Sequence, residues 1–373
     1  MEANITPQAA EPVDEKLYRA SQSQLIWWRF RKHRLAVLGG VVLLVIYVLA
    51  IFADLVSPYN PNAHDARHIY APPQKLHFVG KDGFSLRPFV YGYEMKMDPK
   101  TFRRVYTEDR SEEYPIQFLV RGHEYKVLGL FKTDLHLFGT EEGTLFLLGT
   151  DRMGRDMLSR ILYGARISTS IGLVGVFLSL VIGIIVGGIS GYYGGVLDNI
   201  VQRIIEFLVS IPTLPLWMGL SAALPPNWPP VRIYFGMTII LSLVGWTGLA
   251  RVVRSKFLSL REEDFVLAAR LVGAKQLRII TRHMVPSFMS HIVASVTLAI
   301  PSMILSETSL SFLGLGLRAP TISWGVLLQE AQNISTVALY PWLLLPGLLV
   351  VVTVLAFNFL GDGLRDAAVP YAR

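Results

Sequence analysis

Long apolar runs separated by shorter polar segments dominate the chain. Six of them, residues 35–53, 167–190, 200–222, 233–250, 291–313 and 342–360, meet or approach the roughly 20 residues a helix needs to cross a bilayer. They predict an all-α polytopic membrane protein with six transmembrane helices. The third run is the least clean, because Arg203 and Glu206 sit near its start. Three positions apart, they share a helix face and are expected to pair. Between the first two runs the pattern changes. Short alternating stretches over 114–121 and 124–131, with turn signals at Lys81-Asp82-Gly83 and Arg121-Gly122, read as strands and turns. They predict a small β-rich domain over about residues 59–148.

Composition agrees with a membrane solvent. The 373 residues are 52% hydrophobic and 17% charged, with a mean hydropathy of +0.43. A soluble domain carries about 25% charged residues, and a disordered chain has few hydrophobics and much charge. Both classes are disfavoured. The net charge of +7 is explained by where the basic residues fall. Arg29, Arg31, Lys32 and Arg34 precede the first run, which predicts a cytoplasmic N-terminus. Six crossings then return loop 251–290 to the same side, with eight Lys/Arg against three acids. The opposite short loops are nearly uncharged: 224–232 has one Arg, and 314–341 has Arg318 and Glu330. Two charge counts therefore give one topology, and nucleic acid is not needed to explain the basicity. The expected layout is a cytoplasmic segment 1–34, a first span 35–53, an extracytoplasmic insert 54–149, a core 150–366 and a cytoplasmic tail 367–373. The long polar leader, without a clear small-residue cleavage site, predicts an uncleaved anchor. With no cysteine, disulfides, thiolate metal sites and cysteine nucleophiles are ruled out.

The chemistry that can be located is sparse. No phosphate-binding loop occurs; the nearest fragment is Gly80-Lys81, so ATP energy must come from a partner. Only Glu206 and Glu307 fall inside the apolar runs, with Asp198 at a boundary. That is little for the ion relay of a stand-alone secondary transporter. Gly188-Ile189-Ser190-Gly191 matches the G-x-S-G pattern of rhomboid intramembrane proteases, with His291 imaginable as a base. Against this, Gly183, Gly187, Gly191 and Gly195 recur every four residues, which predicts one helix face for close packing. His64 and His68 flank Asp65 at a spacing that suits a metal only in a helix. Pro58, Pro61, Pro72 and Pro73 argue against a helix there, so ordinary surface histidines are expected. An anchored structural protein displaying the β-domain would leave the cytoplasmic loop without a purpose.

That loop is the most informative segment. Residues 261–275 read as a short helix, with Glu262, Glu263 and Asp264 at the positive end of its dipole and Gly273 placed for a left-handed cap. Phe265, Ala268, Ala269 and Val272 form one small apolar face, suited to a groove on another protein. The alternative is a helix lying on lipid.

The same residues carry a family resemblance. Ala268-Ala269, Gly273, Ile279, His283 and Pro286 resemble the "EAA" loop of the inner-membrane permease subunits of ABC importers, with Leu267 where that family often has Glu. Leu148-Gly149-Thr150-Asp151, Gly154-Arg155-Asp156, Ser159-Arg160 and Gly164-Ala165-Arg166-Ile167-Ser168 resemble the segment entering the core of oligopeptide/dipeptide/nickel permeases. Gly191-Tyr192-Tyr193-Gly194-Gly195, Leu310-Ser311-Phe312-Leu313-Gly314-Leu315-Gly316, Ser323-Trp324-Gly325 and Gly361-Asp362-Gly363-Leu364-Arg365-Asp366 resemble its C-type subunit. The last motif is followed by Val369-Pro370 where Asp-Pro is common. The resemblance spans about residues 20–56 and 148–370. The large insert departs from common members and resembles a sub-branch importing longer peptides or oligosaccharides.

The resemblance implies the type I ABC importer permease fold and a location in the bacterial inner membrane. It implies a second homologous permease, two ATPase subunits that bind ATP and Mg, and an extracytoplasmic solute-binding protein. No cofactor or metal is expected in this chain, and no enzymatic activity. The substrate is expected to be an oligopeptide or dipeptide, with oligosaccharides or nickel chelates as alternatives. Asp264, Phe265, Leu267, Ala268, Ala269, Gly273, Ala274, His283 and Pro286 would form the ATPase-coupling element. Pro212, Pro215, Pro301 and Pro346 are expected to remove helix hydrogen bonds and kink their spans. Ser302, Ser306 and Glu307 lie on adjacent turns of the fifth span and either face the translocation path or pack against span two or four.

Overall fold

A computed structural model describes residues 22–368 apart from 81, 82, 128 and 226. A short amphipathic helix α1 (Gln22–Lys32) leads into the first crossing α2 (Arg34–Ile51), whose start is capped by His33 accepting the Ala36 amide at 3.1 Å. The second long helix, α3 (Met157–Tyr193), begins ten residues before the apolar run that announces it. Its 37 residues extend about 55 Å, well beyond a hydrocarbon core of about 30 Å, so its first turns stand outside the bilayer.

The third crossing is not one helix. It is built as α4 (Gly195–Ser210) and α5 (Thr213–Ala222), bent by 86°. The break falls at Ile211-Pro212, where Ile211 is extended (ψ 127°). Proline forces that conformation on the residue before it and brings no N–H of its own. Pro215 lies in the first turn of α5, where a missing N–H costs nothing. Thus the single span over 200–222, expected to kink at Pro212 and Pro215, is instead a bent pair broken at Pro212. The remaining crossings are α6 (Pro230–Leu260), α8 (Met289–Phe312) and α10 (Leu345–Ala368), with α7 (Asp264–Leu271) between α6 and α8 and α9 (Trp324–Leu328) between α8 and α10. Five helices are long and apolar enough to cross a membrane, six crossings if the bent pair counts as one.

Glycine spacing sets how closely α3 meets α6. A Cβ on Gly187 would lie 2.4 Å from the Ala250 carbonyl oxygen, and one on Gly191 2.6 Å from that of Arg254. Gly183 abuts Leu249 on the same face. Gly195 departs from the expected stripe: it lies beyond the Gly194 break and nothing crowds it. Among several buried apolar clusters, one joins Leu43, Ile171, Met237, Leu241, Ile304 and Phe357 from five crossings. Leu44, Phe177, Ile185, Phe207, Ile239 and Leu348 point outward and are exposed, as a lipid solvent permits.

The insert is β-rich, as its alternating pattern predicts. Strands β1 (His77–Gly80), β2 (Gly83–Met97) and β3 (Arg104–Pro115) form an antiparallel sheet, and β4 (Gln117–Val127) pairs with β5 (Phe131–Gly139) as a hairpin. The strand limits differ from expectation. Stretch 114–121 straddles the corner at Ile116, and 124–131 runs across the hairpin turn. Arg121-Gly122 is no turn but lies at a bulge inside β4. Glycine is needed there because a Cβ would meet the His136 ring at 2.6 Å. Lys81-Asp82 lies outside the described residues; Gly80 and Gly83 pair on either side of it.

The insert is bolted to the core at the N-terminal end of α3. Arg160 donates to the Pro61 carbonyl at 3.1 Å, and the Tyr59 amide to Ser159 Oγ at 3.3 Å. The Ala71 amide reaches Thr150 Oγ1 at 2.8 Å, and Tyr70 stacks on Tyr340 at 4.1 Å. Residues 57–70 form turns rather than a helix, and His68 bonds Asp65 at 2.7 Å.

Candidate functional site: the loop helix and its links to the broken crossing

Helix α7 is shorter than the 261–275 stretch suggests. It starts at Asp264, after Glu263, whose side chain makes no cap bond. It ends in a Schellman closure: the Gly273 amide donates to the Arg270 carbonyl and the Ala274 amide to that of Ala269, each at 3.0 Å. Gly273 takes φ +77°, the left-handed conformation that closure requires. The expected single apolar face is divided in two. Val266 and Ala269 are buried against Tyr192, Phe257, Ile279 and Met284. Phe265, Leu267, Leu271 and Val272 are exposed. Phe265, Ala268 and Val272, with Lys275, Arg278 and His283, line an open groove of about 780 Å³ that also includes Gly273 and Ala274. Pro286 is exposed in the short helical segment Val285–Ser287 that follows.

Two links tie this loop to the end of α3, just before the broken crossing, and neither was read from the sequence. The Arg270 guanidinium lies 5.2 Å over the Tyr192 ring, a cation–π contact, and Tyr193 donates to Gln276 Oε1 at 2.8 Å. Just beyond, Asp198 on α4 accepts two bonds from Arg254 on α6, both 2.5 Å, and a third from the Ser190 hydroxyl. Tyr192 and Tyr193 stood in a family motif, but only the packed structure brings them to α7. Ser190 is fully buried and committed to Asp198, which removes the nucleophile of the protease reading. Glu206 pairs with Arg203 at 2.7 Å, as their spacing predicts.

The other candidate positions separate. Glu307 is fully buried and accepts from Ser168 Oγ at 3.1 Å and Ser311 Oγ at 2.8 Å. Ser168 in turn accepts the Trp324 amide at 3.1 Å. Glu307 therefore packs against span two and lines no open path here. Ser302 and Ser306 lie on another, partly open face of α8 with Ser295 and Ala299. Pro301 is buried inside α8. Pro346 is the second residue of α10, where no helix bond is lost, so the expected mid-span kink is absent there. Pro212 sits at the 86° break.

At the N-terminal end of α3, Asp151 bonds Arg155 at 2.6 Å and lies 3.3 Å from Arg160, while Glu330 meets Arg152 at 3.2 Å and Arg155 at 3.6 Å. Burial, then the Asp151 charge, pushes the Glu330 carboxyl up. Asp156 caps α3, accepting the Ser159 amide and hydroxyl at 2.8 and 2.6 Å through Oδ2. Its Oδ1 is buried without a partner. Burial pushes this carboxyl up to about 6, against the lowering effect of Ser159. The folded chain then holds the proton more tightly than the unfolded one, so stability falls as pH rises from about 4 to about 6. Asp156→Asn keeps a good cap and removes the ionisation. The variant is expected to exceed the native chain by up to ~3 kcal/mol at pH 8 and to match it at pH 4. Thermal unfolding in lipid nanodiscs at the two pH values checks this; an equal difference at both would exclude the charge as cause.

Long apolar crossings, one of them broken, with a short docking-type helix hung between two others, make this a multi-pass membrane transport subunit. Residues 149–373 match the family described as binding-protein-dependent transport system inner membrane component, and residues 21–73 match the N-terminal TM domain of oligopeptide transport permease C. The chain belongs to the binding-protein-dependent transport family: it is a permease subunit of a bacterial ABC importer and not a catalyst. The oligopeptide transport system permease protein OppC of Bacillus subtilis is 31% identical over 98% of this chain and 96% of its own length. The dipeptide transport system permease protein DppC of Lactococcus lactis is 32% identical over 96% and 94%. OppC of Haemophilus influenzae is 40% identical over 63% of this chain and 73% of its own length. Among solved structures, the inward-facing MetNI methionine ABC transporter aligns with 57% of this chain and 98% of its own at 20% identity and a TM-score of 0.45, a loose likeness.

Proposed function

We propose that this chain is the C-type permease of an importer for oligopeptides or dipeptides and forms half of the translocation path. The single observation that carries the mechanism is α7. A helix of eight residues closed at Gly273, buried on one side and apolar on the other, is built to be pushed by a protein seated on its exposed face. Phe265, Leu267, Ala268 and Val272, with His283 at the groove edge, are the proposed contact with a partner ATPase. Asp264, Ala269, Ala274 and Pro286 hold the element in shape.

Two ATPase subunits would bind ATP and Mg, and their closure would move α7. Tyr192 and Arg270 would pass that motion to the end of α3, and Asp198–Arg254 to α4 and α6. The bend at Pro212 gives the broken crossing a place to yield, and Pro301 does the same for α8. Ser302 and Ser306 are proposed to line the path, with Glu307 a packing residue. A second homologous permease would complete the path, and an extracytoplasmic binding protein would deliver the solute. The positive-inside rule supports a cytoplasmic loop 251–290 and cytoplasmic termini, with the insert 54–149 outside.

The peptide reading rests on relatives whose names state oligopeptide and dipeptide transport. Gentle isolation of the chain from its native membrane, with mass spectrometry of proteins and bound small molecules, tests the whole proposal. Recovery of P-loop ATPases, a homologous permease and a peptide-loaded binding protein is the expected result. A sugar or metal chelate in that binding protein would overturn the substrate. A chain recovered alone after crosslinking would overturn the partners.

A further inference from the structure

The β4–β5 hairpin ends in an unusual turn. Val127 pairs with Phe131, and the segment from Val127 to Phe131 contains no polar side chain. Turns that face water are built from Gly, Asn, Asp, Ser and Pro, and here only Gly129 (φ +77°) meets that need. Leu130 and Phe131 are each about three-quarters exposed. Lys126 and Lys132 bracket the tip and stand directly opposite one another. Like charges so placed destabilise a hairpin in water. Both are exposed, and no carboxylate pairs with either among the described residues.

The hairpin's course explains the pattern. Near its base, Val120, His136 and Gly139 line a cleft with Pro58, Tyr59 and Asn60, and Tyr59 is bonded to Ser159 near the outer end of α3. Both strands also contact the short helix Ala53–Val56 that continues the first crossing. There the Asp54 charge acts on His123 and Tyr125. Asp54 itself bonds Tyr163 at 2.5 Å and Arg166 at 2.7 Å. From Ser159 to Arg166 is seven residues along α3, about 10 Å closer to the bilayer. The hairpin therefore descends from base to tip, and the last rung, Val127 opposite Phe131, lies two residues past Tyr125, about 7 Å further along the strand, with the turn beyond it.

We propose that the tip of this hairpin is a membrane anchor: Leu130 and Phe131 enter the bilayer surface beside the first crossing, and Lys126 and Lys132 take phospholipid phosphates. The lysine pair that repels in water is then neutralised by anionic headgroups. The apolar tip gains the burial it lacks in the isolated chain. This holds for the chain in its bilayer whatever solute is carried.

The absence of cysteine makes the test clean. Leu130→Cys in the full chain, assembled with its partners in phosphatidylcholine/phosphatidylglycerol nanodiscs, takes one nitroxide label. Leu86→Cys, on β2 and exposed, is the reference. The label at 130 is expected to show an oxygen-to-nickel-chelate accessibility ratio several-fold above that at 86. Adding Lys126→Glu and Lys132→Glu should bring the ratio down towards the reference. A label at 130 as open to the nickel chelate as that at 86 overturns the anchor. A label shielded from both reagents also overturns it, because a protein partner would then be covering the tip.

Discussion

Gly273→Val is expected to cut ATP-driven uptake at least ~tenfold while leaving the chain folded in the membrane. Gly273 sits at φ +77°, and nothing lies within 4 Å of the Cβ it lacks. The defect is therefore one of backbone conformation rather than collision. A left-handed residue costs an L-amino acid about 1–2 kcal/mol, and β-branching is worst suited to it. The chain escapes by opening the closure, which breaks the Gly273–Arg270 and Ala274–Ala269 bonds. Val266 and Ala269 would still hold α7 to the core, but Val272 and the groove beside it would lose their placement. Gly273→Asn is the matched control, because Asn tolerates this conformation. In proteoliposomes containing the whole transporter, the Val variant should lose at least ~tenfold of uptake, the factor that follows from 1.4 kcal/mol. The Asn variant should keep most of it, and ATP hydrolysis should persist in both. Equal uptake by the two variants would remove Gly273, and with it α7, from the coupling role.

What could be read from the chain alone follows from which forces are local. Span positions were legible because a bilayer demands a long apolar run, and the Arg203–Glu206 pair because helical spacing is fixed. The Gly183–Gly191 stripe was legible for the same reason. The 86° break was only half legible: Pro212 marked a weakness, but a bend of that size depends on what each half packs against. Strand limits in the insert slipped because Gly122 reads as a turn residue, whereas its reason is the His136 ring across the hairpin. The division of α7 into two apolar faces was hidden, since Val266 and Phe265 look alike until Tyr192 arrives from a helix more than seventy residues away. Glu307 shows the same limit from the polar side. Ser311 is one turn along its own helix, but its other partner Ser168 comes from a different crossing, so its acidity suggested a path where packing supplies a polar cage.

Breaking the Asp198–Arg254 pair should produce the other large loss, and a double-mutant cycle can separate coupling from mere stability. The pair joins α4, the first half of the broken crossing, to α6, the helix that leads into α7. Asp198 is nearly buried and Arg254 about one-third exposed, so water screens the pair only partly. A charge-assisted, two-bond contact of this kind contributes on the order of 1.5–3 kcal/mol. Removal of one partner leaves a poorly solvated charge and costs more than removal of both. Asp198→Asn and Arg254→Gln should therefore each reduce uptake by ten- to a hundredfold, about 1.4–2.8 kcal/mol in a rate-limiting step. The double variant should be no worse than the more damaged single, giving an interaction of ~1–3 kcal/mol. A strut that only stabilises the fold would lower thermal stability and uptake together. A strut that transmits force would leave basal ATP hydrolysis in place and cut the solute moved per ATP. Strictly additive losses would mean that the two groups do not act as a unit, and the motion of α7 would then have to leave through Tyr192 and Arg270 to the end of α3.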